Sequence, residues 1–171
     1  MFFKISDLEL GKVRFRETFA PGAIEFFDPQ LRQKAPIEAS GAAELSPSTR
    51  EIRVSGNVTT RMEIACDRCL EPAAIPLAAD FSLLYRPASM TPQHVEVLIA
   101  GEETEVGFYE GEGLELADVL REEVLLLLPM QRVCSEECKG ICPVCGQNRN
   151  QVACNCHAEL TDDRWAGLRN L

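Results

Sequence analysis

Eight cysteines stand in three groups: Cys66 and Cys69, then Cys134, Cys138, Cys142 and Cys145, then Cys154 and Cys156. Thiolates two to four residues apart can turn their sulfurs onto one tetrahedral ion, which points to Zn²⁺ as the cofactor. A lone cysteine is usually a small buried hydrophobe, but six of them between positions 134 and 156 are too closely spaced to be core filler. In Cys142-Pro143-Val144-Cys145-Gly146, the proline fixes φ early in a turn and the glycine can take φ > 0, as a zinc knuckle needs. Its partner pair is Cys154 and Cys156, reached through a polar, turn-prone excursion over Gln147, Asn148, Arg149, Asn150 and Gln151. Cys66 and Cys69 need two more ligands, and Cys134 and Cys138 are the thiols that remain. Their four-residue spacing would put both on one side of a helical turn. Two Cys₄ sites then use all eight thiols. A single site with four buried or redox-active cysteines is the competing reading, because spacing alone does not fix which thiols share an ion. His157, next to Cys156, could replace a cysteine at the metal or stand as a solvent-exposed imidazole.

Little else in the chain points to chemistry. Histidine occurs only as His94 and His157, and H-E-x-x-H, G-x-S-x-G and G-x-x-x-x-G-K-[ST] are all missing. A catalytic zinc keeps an open position, whereas Cys₄ sets are closed and structural, so no enzyme, catalytic residue or small-molecule substrate is expected. A disulfide framework would need an oxidising compartment, and the start M-F-F-K-I-S-D-L-E-L has no basic stretch followed by an apolar one. The longest aliphatic run, Val124 to Leu128, falls far short of the ~20 residues that cross a bilayer. A cytoplasmic protein without membrane contact is expected.

The elements that must hold these thiols follow from periodicity. With 171 residues, 46% of them hydrophobic, the chain suits one α+β core, 1–130, carrying the Cys66/Cys69 knuckle, and a Cys-rich zinc-binding segment with a C-terminal tail, 131–171. The core is expected to be a strand-rich antiparallel N-terminal part with one long amphipathic helix. Residues 36–45 and 51–65 partly alternate polar and apolar around the turn Ser46-Pro47-Ser48-Thr49, which predicts a long hairpin whose second arm runs into Cys66. Ile75 to Tyr85 returns as a strand. Residues 86–94, with two prolines, predict a mobile loop, and 94–99 a further strand. From Leu114, apolar residues recur at three- and four-residue steps, Glu115 and Asp118 sit near the positive dipole end, and Pro129 stops the run. Trp165 is expected to anchor the tail rather than stack on a base.

Charge is unevenly distributed. The net −10 arises in residues 71–130, which hold 2 Lys+Arg against 12 Asp+Glu, while both flanking regions are balanced. Phosphate recognition needs cations. Glu96, Glu102, Glu103, Glu105, Glu110, Glu112 and Glu115 should therefore face away from any RNA, keeping the protein soluble or meeting a basic protein. An RNA surface would draw on Arg53, Arg61, Arg68, Lys139 and Arg149.

With these residues in view the chain resembles the YceD family of large ribosomal RNA subunit accumulation proteins. The resemblance is carried by C-D-R-C-L-E-P at Cys66–Pro72, L-E-L-A-D-V-L-R-E-E-V-L-L-L-L-P at Leu114–Pro129, C-K-G-I-C-P-V-C-G at Cys138–Gly146 with Asn148 and Asn150 beyond it, C-N-C at Cys154–Cys156, and D-R-W-A-G-L near the end. Arg149 departs from the family, which usually has leucine there. The resemblance implies a non-enzymatic ribosome biogenesis factor supporting accumulation of 23S ribosomal RNA. It would act by binding precursor RNA or the assembling large subunit, with a basic ribosomal protein as a further candidate partner. A zinc-stabilised protein adaptor working through the acidic middle region is the alternative.

Overall fold

The computed structural model describes residues 1–90 and 106–156. The chain divides into two compact units, residues 1–64 with 74–130, and residues 65–73 with 131–171. The Cys66/Cys69 knuckle therefore groups with the C-terminal cysteines rather than with the 1–130 core in which the sequence placed it.

In the larger unit, β1 (Phe2–Lys4) leads into α1 (Ile5–Glu9), followed by β2 (Val13–Phe19), β3 (Arg32–Gln33), β4 (Ile37–Leu45), β5 (Ile52–Ala65) and β6 (Pro72–Pro87). A 3₁₀ turn at Ala88–Met90 comes next, then β7 (Val106–Tyr109), β8 (Gly113–Glu115) and α2 (Leu116–Leu127). The main sheet has the order β2-β4-β5-β6-β7, with β3 paired to β5, while β1 and β8 form a separate antiparallel pair. The α+β class is the one expected.

The hairpin expected from alternation is β4–β5, antiparallel with Leu45 opposite Ile52. Alternation places Ile52, Val54, Val58, Thr60, Met62 and Ile64 on the buried face of β5. Gly41 faces Gly56 across it, and a Cβ on Gly41 would stand 2.1 Å from the Ser55 carbonyl oxygen. Only glycine permits that approach. Two features differ from expectation. β6 pairs in parallel with β7, a strand not foreseen from the sequence, with Leu84 opposite Val106. At the start of the loop expected over 86–94, β6 instead continues through Pro87 into the 3₁₀ turn, and residues 91–94 lie outside the described residues. The strand expected at 94–99 lies outside the described residues.

In α2, Leu116, Val119, Leu120 and Val124 are buried with Ile37, Ile52, Met62, Leu77 and Phe81 in one core. Residues 114 and 115, expected as the first of the helix, are strand β8. The helix stops where expected: Leu128, before Pro129, has extended backbone (φ −64°, ψ 130°), the conformation a following proline imposes. Among the described residues no helix is long and apolar enough to cross a membrane.

Candidate metal centres

The smaller unit uses one backbone device twice. In the first knuckle the Leu70 N–H donates to the Cys66 carbonyl and the Cys66 N–H to the Glu71 carbonyl, both at 2.8 Å. In the second, the Gly146 N–H donates to the Cys142 carbonyl and the Cys142 N–H to the Gln147 carbonyl, again at 2.8 Å. The residue four after the leading cysteine is left-handed in both cases, Leu70 with φ 63° and Gly146 with φ 73°. This turn folds the N–H groups inside each C-x-x-C back toward the leading sulfur.

The first centre brings together Cys66, Cys69, Cys134 and Cys138, whose sulfurs all lie within 4.8 Å of one another. Cys66 and Cys138 are 3.9 Å apart, and Cys69 and Cys134 are 3.7 Å apart. Sulfurs at ~2.3 Å from a tetrahedral zinc would be about 3.8 Å apart, so the donor set fits that ion. The two segments are tied by a reciprocal pair of hydrogen bonds: the Asp67 N–H donates to the Arg132 carbonyl at 2.8 Å, and the Arg132 N–H to the side-chain Asp67 Oδ2 at 2.7 Å. Arg68 Nη1 reaches the carbonyl oxygens of Glu136 and Cys138 at 3.1 and 3.2 Å. Cys134 and Cys138 do not lie on a helical turn as their spacing suggested; an isolated turn, with the Cys138 N–H on the Ser135 carbonyl at 3.1 Å, joins them.

Burial opposes ionisation of Cys66, but the N–H groups of Cys69, Arg68 and Cys134 outweigh it and bring the thiol down to about 6. Cys138 is also lowered, first by the Asn150 amide, whose Nδ2 donates to its sulfur at 3.3 Å. The N–H donated at Glu71 lowers Cys69, yet burial and the neighbouring sulfurs leave it raised to about 12. One compartment of thiols thus ionises unequally when alone, and a dication would release the protons of all four.

Cys142, Cys145, Cys154 and Cys156 form the second centre, again with sulfurs within 4.8 Å. N–H groups of Cys145 and Val144 lower Cys142 to about 6, while the Cys145 sulfur and then burial raise Cys156 to about 12. The centres differ in cover. Three of the first four cysteines are buried, but only Cys142 of the second set is.

The excursion between Cys145 and Cys154 joins the two. Ile141 bridges Asn148, the Arg149 N–H donates to the Gly140 carbonyl, and the Asn150 side chain accepts from the Lys139 N–H while donating to Cys138. Glu71 accepts from Gln151 Nε2 at 3.2 Å. By residue type these asparagines read only as a polar tip; the N-x-N spacing, with Asn148 Oδ1 accepting from both Asn150 nitrogens, is the signal that marks them. His94, His157 and Trp165 lie outside the described residues.

A family model described as "Large ribosomal RNA subunit accumulation protein YceD" matches residues 54–171. A chloroplastic large ribosomal RNA subunit accumulation protein YCED homolog 1 of Arabidopsis thaliana is 25% identical over 157 residues, covering 80% of this chain and 48% of the relative. An uncharacterized protein of Mycobacterium tuberculosis is 31% identical over 118 residues, covering 68% of this chain and 54% of its own length. The chain therefore spans about half the length of these two relatives. The uncharacterized protein YlbN of Bacillus subtilis is 21% identical over 170 residues, with 99% of this chain and 93% of that protein covered. No solved structure matches.

Proposed function

The chain belongs to the YceD family of large ribosomal RNA subunit accumulation proteins, and from that premise we propose that it is a non-enzymatic, zinc-stabilised factor that supports accumulation of large-subunit ribosomal RNA in the cytoplasm by binding 23S precursor RNA or the assembling large subunit. Family membership across residues 54–171, which include all eight cysteines, is the observation that carries this reading. The closed Cys₄ donor sets support a structural use of metal. Lys139 and Arg149 are exposed cations within the segment that links the two centres, near exposed Ile141 and Val144, and form the preferred RNA-facing group. Arg68 serves this purpose less well, because its guanidinium is held by two carbonyls.

The test is crosslinking and copurification with the zinc-loaded chain, followed by binding to large-subunit precursor RNA over a range of salt. Each phosphate contact contributes roughly −0.7 to −0.9 to the slope of log affinity against log salt. Changing Lys139 and Arg149 together to Glu should flatten the slope and weaken binding. If that change does nothing while replacing Glu102, Glu103, Glu105 and Glu110 by Gln abolishes copurification of ribosomal material, the protein-adaptor reading replaces this one.

A further inference from the structure

Glu123 is a charged side chain buried in the larger unit, only 7% exposed, and among the described residues no hydrogen-bond donor or cation meets its carboxyl. The side chain is largely covered while its carboxyl oxygens keep contact with solvent, so the charge lacks a partner and is open to one. It lines a groove of about 520 Å³ between β6, β7 and α2, together with Tyr85, Val106, Gly107, Glu122 and Leu126. A Cβ on Gly107 would lie 2.6 Å from the Tyr85 ring; the glycine lets that ring rest against β7. The Tyr85 hydroxyl then donates to Glu122 Oε2 at 2.8 Å and fixes the second carboxylate at the groove. It is the one donor from the described residues to either glutamate.

The groove is therefore apolar along Val106 and the Leu126 rim, which is 70% exposed, and anionic at Glu122 and Glu123. That combination matches a side chain with an aliphatic stem and a cationic head. The two cations of residues 71–130 are placed elsewhere: Arg86 bonds Glu51, and Arg121 bonds Asp118 and stacks over Phe27. With 12 acids against those two cations, the segment as a whole also favours a basic partner.

We propose that this groove docks a lysine or arginine side chain of a basic protein segment, with Glu123 and Glu122 holding its head and Leu126 covering its stem. The assignment stands apart from the ribosomal RNA reading, and its test contains no RNA.

The probe is a capped hexapeptide of alternating leucine and arginine, titrated at low salt into the zinc-loaded full chain and followed by calorimetry and by amide shifts at Gly107 and Leu126. A leucine–citrulline counterpart keeps shape and removes charge. The arginine peptide should bind at least about tenfold more tightly than the citrulline peptide, and Glu123→Gln should lose about tenfold. Glu110→Gln, at an exposed carboxylate outside the groove, should lose less than about twofold. Leu126→Arg, on the exposed rim where folding is not at stake, should also lose about tenfold by placing a cation over the site. Equal binding of the two peptides, equal losses from Glu110→Gln and Glu123→Gln, or full affinity in Leu126→Arg would each overturn the proposal.

Discussion

Leu70 carries the left-handed turn that Gly146 carries in the second knuckle, yet has a Cβ and is 64% exposed. For an L-residue that backbone costs roughly 1–2 kcal/mol, which glycine avoids. Leu70→Gly should accordingly stabilise the zinc-loaded protein by about 1 kcal/mol in denaturant unfolding, because little packing is lost at so exposed a side chain. Glu123 sets a second residue-scale expectation. Burial first, and then the Glu122 charge, raise its carboxyl above the usual range. A raised folded value means that the folded state holds the proton more tightly. The contribution is present in full below the unfolded value of ~4.3 and is lost as pH rises through the folded one. Glu123→Gln should therefore raise the melting temperature at neutral pH, with the gain shrinking toward pH ~4.

At the scale of elements, the two centres differ in how they are covered and connected. Cys145 and Cys156 are exposed residues of the second centre, whereas in the first only Cys134 is exposed and Cys66, Cys69 and Cys138 are buried. A chelator in modest excess should remove the ion held by Cys142, Cys145, Cys154 and Cys156 first, and stopped-flow release should show two phases of equal amplitude. Asn150→Ala removes a donor to the Cys138 sulfur and should speed the slower phase about tenfold, as loss of an outer partner commonly does. What the sequence disclosed follows the range of the forces involved. The β4–β5 hairpin and α2 were legible because alternation and three-to-four periodicity are written within a dozen neighbouring residues. The parallel β6–β7 pairing was not, because nothing local distinguishes a strand that crosses over from one that turns back. Likewise the C-x-x-C spacing gave both knuckles, but the Asn150 amide reaches Cys138, twelve residues earlier, only through the way the loop folds back, which no periodicity encodes.

For the molecule as a whole, the two units are stabilised by different means. The larger holds an extensive apolar core running from Phe3 to Val124. Among the described residues, the smaller has one apolar cluster, Cys66, Cys69, Ala73 and Cys138, with Val133 packed against it. A core of that size does not sustain a fold without metal. Exhaustive chelation should thus abolish hydrogen-exchange protection over residues 65–73 and 131–156 while leaving β4, β5 and α2 protected. Uniform loss over both units would show that the metal supports the whole chain.

The first centre draws its ligands from positions 65 residues apart, Cys69 and Cys134. During synthesis the leading C-x-x-C is made first and must wait for its counterpart, for roughly 3–13 s at ~5–20 residues per second. Throughout that interval it is a pair of thiols able to offer a metal only two ligands, without the Cys134 N–H that helps to lower Cys66 in the finished fold. The nascent chain is then most open to oxidation or to capture of the wrong soft metal, so the supply of zinc during translation, more than the affinity of the finished site, would govern the yield of correctly loaded protein.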